Sequence, residues 1–220
     1  DKTGTLTQNR MLVERVWTPI GDYRVTGDGY APEGEFEPDP GGDPSLDRLA
    51  RVAAACNDAS LSAPRRSGDP WTITGDPTEA ALLALAAKRH VDPAELVAAC
   101  PRVEEVTFDS ERRRMATLHA EGDQVWVAVK GALEAIGPLL DAVDADLLTR
   151  AERVAEGYAA DGFRVLALAE RSMADVPARL DDAERGLRLV GLVGMADPPR
   201  PASAPAIAAC RTAGISPIMI

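Results

Sequence analysis

Apolar and polar residues alternate along residues 12–31 around two Gly-Asp pairs, Gly21-Asp22 and Gly27-Asp28, which predicts short antiparallel strands. Residues 32–45 (PEGEFEPDPGGDPS) are rich in proline, glycine and acids and read as a surface loop. The period then changes: Leu46, Leu49, Ala53 and Cys56 share one face of a predicted helix. After a loop at Ser62–Asp69, an Ala- and Leu-rich helix opens at Gly75-Asp76-Pro77-Thr78-Glu79 and runs to about His90. Strands are predicted near Val103–Phe108, Met115–His119 and Val125–Lys130. A helix covers about Ala145–Ala160, with Leu148, Ala151, Val154, Ala155 and Tyr158 on one face and Gly162 after its end. Further strands fall at Arg164–Glu170 and Leu187–Val193. Asp197-Pro198-Pro199-Arg200 then breaks the chain before a helix at about Ala202–Ala213 and a last strand.

The middle of this pattern is α+β with mostly antiparallel strands, and the two ends read as pieces of an α/β unit. No repeat or low-complexity tract interrupts it.

Composition narrows the function. Apolar residues make up 45% of the 220, enough for a sizeable core. The 24 basic against 35 acidic residues leave a net charge of −11, which argues against nucleic acid as a partner. An anionic ligand would need a local basic cluster. Only Lys2, Lys88 and Lys130 are lysines, so a lysine inside a motif carries weight. Cys56, Cys100 and Cys210 fit neither a metal-ligand spacing nor a disulfide framework and read as reduced cysteines. No run approaches the ~20 apolar residues that span a bilayer. The chain starts without Met and stops in an apolar stretch, Ile215–Ile220, so it is expected to be part of something longer.

The most specific run is Asp1-Lys2-Thr3-Gly4-Thr5-Leu6-Thr7. A carboxylate can attack a phosphoryl group when it sits beside a metal and a positive charge. Lys2 could supply that charge, Gly4 allows backbone N–H groups close to phosphate oxygens, and the threonines add donors. An isolated Asp-Lys-Thr-Gly would read as a turn after a strand; seven residues in this order are a poor match to chance.

DKTGTLT resembles the phosphorylation signature of the P-type ATPases, in which the aspartate forms an acyl-phosphate from Mg-ATP. The resemblance implies that Asp1 is the nucleophile, that Lys2 steadies the phosphoryl group, and that Thr3 touches phosphate. Asp1 and Thr3 would contribute to an incomplete magnesium site. Haloacid-dehalogenase-like phosphatases share the superfamily but carry a second aspartate two positions on, where this chain has Thr3. Without a carboxylate there to activate water, a long-lived phosphoenzyme is the expected outcome.

Other runs follow the family order. Gly75–Glu79 forms a capping-box pattern, with Asp76 as N-cap and Pro77 at the first helical position. It also resembles the pump motif that would put Glu79 near the adenine amino group. Phe108-Asp109-Ser110-Glu111-Arg112-Arg113-Arg114-Met115 reads as a charged hairpin. Its spacing resembles the adenine-binding segment of the calcium-pump-like branch, with Phe108 stacking on adenine and Arg113 meeting phosphates; lysine is commoner at the latter position. The three arginines are the local positive patch that the charge balance requires.

Val129-Lys130-Gly131-Ala132 resembles the Lys-Gly-Ala signature of the nucleotide pocket, where Lys130 would line the adenine cavity and Gly131 admit the ring; Leu133-Glu134 replaces the usual Pro-Glu. The run Arg164–Glu170 resembles the Arg-x-Leu-Ala-Leu-Ala strand, making Arg164 a phosphate contact. Gly194–Arg200 resembles the second strand of the hinge between nucleotide and phosphorylation domains, with Asp197 and Arg200 near the phosphates. His90 and His119 are isolated packing or surface residues, and neither precedes proline, so the His-Pro signature of heavy-metal pumps is missing.

Together these runs imply an α+β nucleotide-binding domain, an antiparallel sheet with flanking helices, inserted into a partial haloacid-dehalogenase-like α/β domain. Residues 1–9 would start the phosphorylation domain, 10–196 form the nucleotide domain, and 197–220 return through the hinge. ATP and Mg2+ are the implied ligands, with no metal ligands in the nucleotide domain. The implied partners are transmembrane and actuator domains of the same full-length chain, on the cytoplasmic side of the cell membrane. The isolated segment is expected to bind ATP with little or no turnover. Two alternatives stand beside this: a stand-alone nucleotide-binding or regulatory module, and a soluble phosphatase with its water-activating carboxylate elsewhere.

Overall fold

The structure is a computed structural model describing residues 4–27, 29–66, 68–141 and 145–218. Asp1, Lys2 and Thr3 lie outside these residues. The strands are β1 (Leu12–Trp17), β2 (Asp22–Val25), β3 (Phe36–Glu37), β4 (Ser60–Ser62), β5 (Thr72–Thr74), β6 (Arg102–Asp109), β7 (Arg114–Glu121), β8 (Gln124–Gly131), β9 (Arg164–Met173) and β10 (Arg188–Ala196). The helices are α1 (Pro44–Ala55), α2 (Pro77–Lys88), α3 (Pro93–Ala99), α4 (Leu133–Ile136), α5 (Ala145–Ala160) and α6 (Ser203–Thr212).

Eight strands form one sheet in the order β3-β2-β1-β10-β9-β8-β7-β6, with every neighbouring pair antiparallel. Such sheets often leave one face to water, and their strands then alternate apolar and polar residues. Here β8 reads almost continuously apolar because helices cover both faces. Trp126 and Ala128 pack with Leu46, Leu49 and Val52 of α1 and Leu82 and Leu85 of α2. Val125, Val127 and Val129, pointing the other way, pack with Leu133 and Ile136 of α4 and Ala151 and Tyr158 of α5.

The helix starts follow from capping. Asp43 accepts from the Ser45 and Leu46 N–H groups at the start of α1, and also from the hydroxyls of Thr18 (2.7 Å) and Tyr23 (2.9 Å). One buried carboxylate thus fixes α1 against β1 and β2. Asp76 caps α2 in the same way, with Pro77 at the first helical position.

Several short elements escape the sequence pattern. β3 lies inside the stretch expected to be loop; Phe36 is buried there, edge-on to Tyr23 at 6.5 Å between ring centroids. β4 and β5 form a ribbon around the Ser62–Asp69 loop. α3, only seven residues with none fully buried, leaves no periodic signal. The expected last strand is not formed over residues 215–218, which have no regular structure. The segments assigned to a second domain contribute α6 and one bridge, Thr7 to Pro199, rather than a sheet among the described residues.

Candidate functional site: one end of the sheet

The registers bring distant motifs to the same sheet end. Asp109 pairs with Arg114, Arg114 with Gly131, Gly131 with Ala167, and Arg164 with Met195. Phe108, Arg113, Lys130 and Arg164 therefore line one edge, spanning four strands or roughly 14 Å. The N-terminus of α2 sits over it.

Lys130 is the inward residue at the end of β8, paired in register with Met115 and Leu168, and is only 8% exposed. Its ammonium donates to Glu79 Oε1 at 2.5 Å and to the Cys56 carbonyl at 2.5 Å. The other Glu79 oxygen accepts the Asp58 N–H at 3.1 Å, and the Glu79 carbonyl accepts from Asn57 Nδ2 at 2.9 Å. The end of α1, the start of α2 and the end of β8 thus close on one ion pair. Burial pushes the Cys56 thiol up, against the opposing pull of the Lys130 charge.

Gly131 is required by close packing. A Cβ there would lie 2.6 Å from the Arg113 carbonyl oxygen and 2.6 Å from Arg114 Cβ. The space beside Gly131 is thus taken up by the neighbouring turn, whose Arg113 carbonyl accepts the Ala132 N–H at 3.0 Å.

That turn is built by Asp109, whose Oδ1 accepts the Glu111 and Arg112 N–H groups at 2.9 and 2.8 Å. These bonds outweigh the small effect of burial and hold the Asp109 carboxyl below its ordinary range. The arginine run does not act as one positive patch. Arg112 and Arg114 both bond Glu184, whereas Arg113, at φ +52°, turns outward to Glu134 at 2.7 Å. Phe108 is 61% exposed, an uncovered ring beside this turn.

Arg164 lies across the α2 start, with Nη1 3.4 Å from Thr78 Oγ1. A cleft of about 370 Å³ opens there, lined by Asn9, Arg10, Asp76, Thr78, Arg164 and Asp197 among others. Burial opposes ionisation of Asp76. Hydrogen bonds from Thr78 and Glu79 and the charge of Arg164 outweigh it and hold this carboxyl below the usual range.

At the far side of the cleft the chain crosses twice. Asp197 accepts from the Thr7 hydroxyl at 2.6 Å and the Arg10 N–H at 3.0 Å. Arg200 donates from its guanidinium to the Thr7 and Gly4 carbonyls at 2.9 and 2.8 Å. These two residues lace residues 4–10 to 197–200.

Glu79 and Lys130 therefore meet in direct contact, Gly131 packs against the Arg113 backbone, Arg164 and Asp197 share a cleft at the same sheet end, and Phe108 stands apart from it beside the Asp109 turn. Asp1, Lys2 and Thr3 fall outside the described residues. Sequence reasoning missed Asn57, Thr78 and Glu184; only Thr78, within the capping run, stood next to a motif. No group of three or more His, Cys, Asp or Glu among the described residues is arranged to hold a metal, and no described helix is long and apolar enough to cross a membrane.

Comparison with known proteins adds a family. The family described as P-type ATPase, cytoplasmic domain N, matches residues 45–202. The whole chain aligns at 42% identity with 26% of the "Probable cation-transporting ATPase F" of Mycobacterium tuberculosis. It aligns at 40% identity with 26% of "Cation-transporting ATPase pma1" of Synechocystis sp., and at 34% with 26% of the "Calcium-transporting ATPase" of Bacillus subtilis. The chain thus spans about a quarter of the length of these relatives.

Proposed function

The chain belongs to the P-type ATPase family, through its cytoplasmic domain N, and on that premise we propose that it binds ATP at the sheet end just described. Residues 10–196 serve as the nucleotide-binding domain, with 1–9 and 197–220 as the flanking parts of a haloacid-dehalogenase-like phosphorylation domain. The carrying observation is that the Glu79–Lys130 pair, the Gly131–Arg113 backbone approach and the cleft that Arg164 and Asp197 share with Asn9 and Arg10 all lie at one sheet end.

The residues suit the ligand. The exposed ring of Phe108 offers a face to adenine. Glu79 supplies a carboxylate oxygen for an exocyclic amine, and the stem of Lys130 walls the pocket. Arg113 and Arg164 offer guanidinium groups to phosphates, overcoming locally the repulsion of a net −11 chain. Asp1 and Thr3 would hold Mg2+, which neutralises charge on the phosphates when bound.

In the full-length protein, Asp1 Oδ attacks the γ-phosphorus in line and ADP leaves, giving an aspartyl phosphate. Lys2 steadies the transferred group. Closure between the domains must carry the nucleotide to Asp1, and the laced crossing at Thr7–Asp197 and Arg200 is the pivot for it. Coupling of this cycle to cation transport would involve transmembrane and actuator domains of the same chain, with this segment on the cytoplasmic side.

The test is phosphorylation of the full-length protein with γ-labelled ATP and Mg2+. Label should appear, be released by hydroxylamine, and vanish in Asp1→Asn. Equal labelling of Asp1→Asn would contradict the assignment.

A further inference from the structure

Glu184 ends the 3-10 turn Leu180–Glu184 and belongs to none of the motifs above. Its side chain is 1% exposed. Its Oε2 accepts three N–H groups, from Arg112 Nη1 at 2.8 Å and from Arg114 Nε and Nη2 at 3.0 and 2.8 Å. Its Oε1 is buried with no partner among the described residues. The carboxylate thus meets two guanidinium groups through a single oxygen, a charge-assisted arrangement in a dry setting.

The two arginines flank Arg113, and they differ from it in exposure: 25% and 18% for the Arg112 and Arg114 side chains against 54% for Arg113. Arg112 also donates from Nη2 to the carbonyl of Thr107, the residue before Phe108, at 2.8 Å. Arg113 itself holds a left-handed backbone, which a non-glycine residue keeps only where its surroundings over-determine it. Three adjacent like charges on a free hairpin would repel one another. One buried carboxylate binds the outer two and offsets half of their charge, and the middle one faces outward.

We propose that Glu184 is a positioning residue for nucleotide binding: by anchoring Arg112 and Arg114 it fixes the turn that presents Arg113 to ATP. The inference rests on the sheet end being the nucleotide pocket. Its physical content is preorganisation, because the turn is ordered on folding instead of on binding.

The experiment is a double-mutant cycle on the chain, with ATP affinity measured by calorimetry for Glu184→Gln, Arg113→Ala and the double variant, and folding checked by melting temperature. Glu184→Gln should weaken ATP about fivefold or more, and the same change in the Arg113→Ala background should cost less than about twofold. Equal losses in the two backgrounds would mean that Glu184 merely supports the fold, and overturn the proposal. So would unchanged affinity in Glu184→Gln. Should Glu184→Gln not fold, Arg112→Gln takes its place in the same cycle with the same criteria. If Arg113→Ala alone leaves ATP affinity unchanged, the pocket assignment itself fails, a result distinct from the others.

Discussion

The Nζ atom of Lys130 lies 2.5 Å from Oε1 of Glu79, and both side chains are largely withdrawn from water, at 9% and 16% exposure. A scarce lysine thus joins β8 to the start of α2 across 51 residues of sequence.

Removing one partner of such a pair leaves the other charge buried. Lys130→Ala should destabilise the chain by about 3 kcal/mol, read as a lower urea midpoint at unchanged slope. Replacing both partners by apolar residues (Lys130→Met with Glu79→Leu) should restore most of that stability but not ATP affinity. Stability that stays low in the double variant would contradict the pair's role.

Asp197→Ala removes the acceptor of the Thr7 hydroxyl and the Arg10 N–H. Hydrogen exchange at the Arg10 amide should quicken about tenfold, the size of one charge-assisted bond, while amides of β8 stay as slow as before. Uniform acceleration across the sheet would instead mean that Asp197 supports the whole domain.

His119 gives the chain an acid-sensitive point. It is 1% exposed, with Nδ1 3.1 Å from the Cys100 carbonyl and Nε2 2.9 Å from Thr117 Oγ1. Burial lowers its pKa. The Cys100 carbonyl opposes the shift, the Arg102 and Arg51 charges add to it, and Glu121 works against it. The unfolded chain therefore binds the proton first as pH falls. The stability contributed by neutral His119 is complete above the ordinary value of ~6.5 and declines below it, by at most about 1.4 kcal/mol per pH unit. Urea midpoints between pH 7.5 and 5.5 should fall for the native chain, and the fall should shrink in His119→Gln.

Much of this arrangement was legible in the sequence. Strand and helix periods located α1, α2, α5 and the long strands, because all of these but β6 bury a stripe or face. Capping chemistry located the start of α2, since Asp76 and Pro77 act within one turn. What escaped was either too short to show a period, as with β3 and α3, or built from distant partners. Glu184 meets Arg112 72 residues away, and nothing in its own surroundings announces that contact. The arginine run misled for the same reason: its charge is real, but two of its three members are spent on a carboxylate visible only in the fold. The close approach of the Arg113–Arg114 backbone to Gly131 was likewise out of reach of the sequence, because it joins two strands of the sheet.

Titration of the isotope-labelled chain with ATP, followed residue by residue by NMR, locates the nucleotide on the sheet. Shifts should concentrate at Glu79, Phe108, Arg113 and Gly131, with affinity reduced roughly tenfold or more in Lys130→Ala and in Phe108→Ala, the equivalent of about 1.4 kcal/mol or more each. Shifts confined to the opposite sheet end around Glu121–Gln124, or native affinity in both variants, would contradict the proposed site.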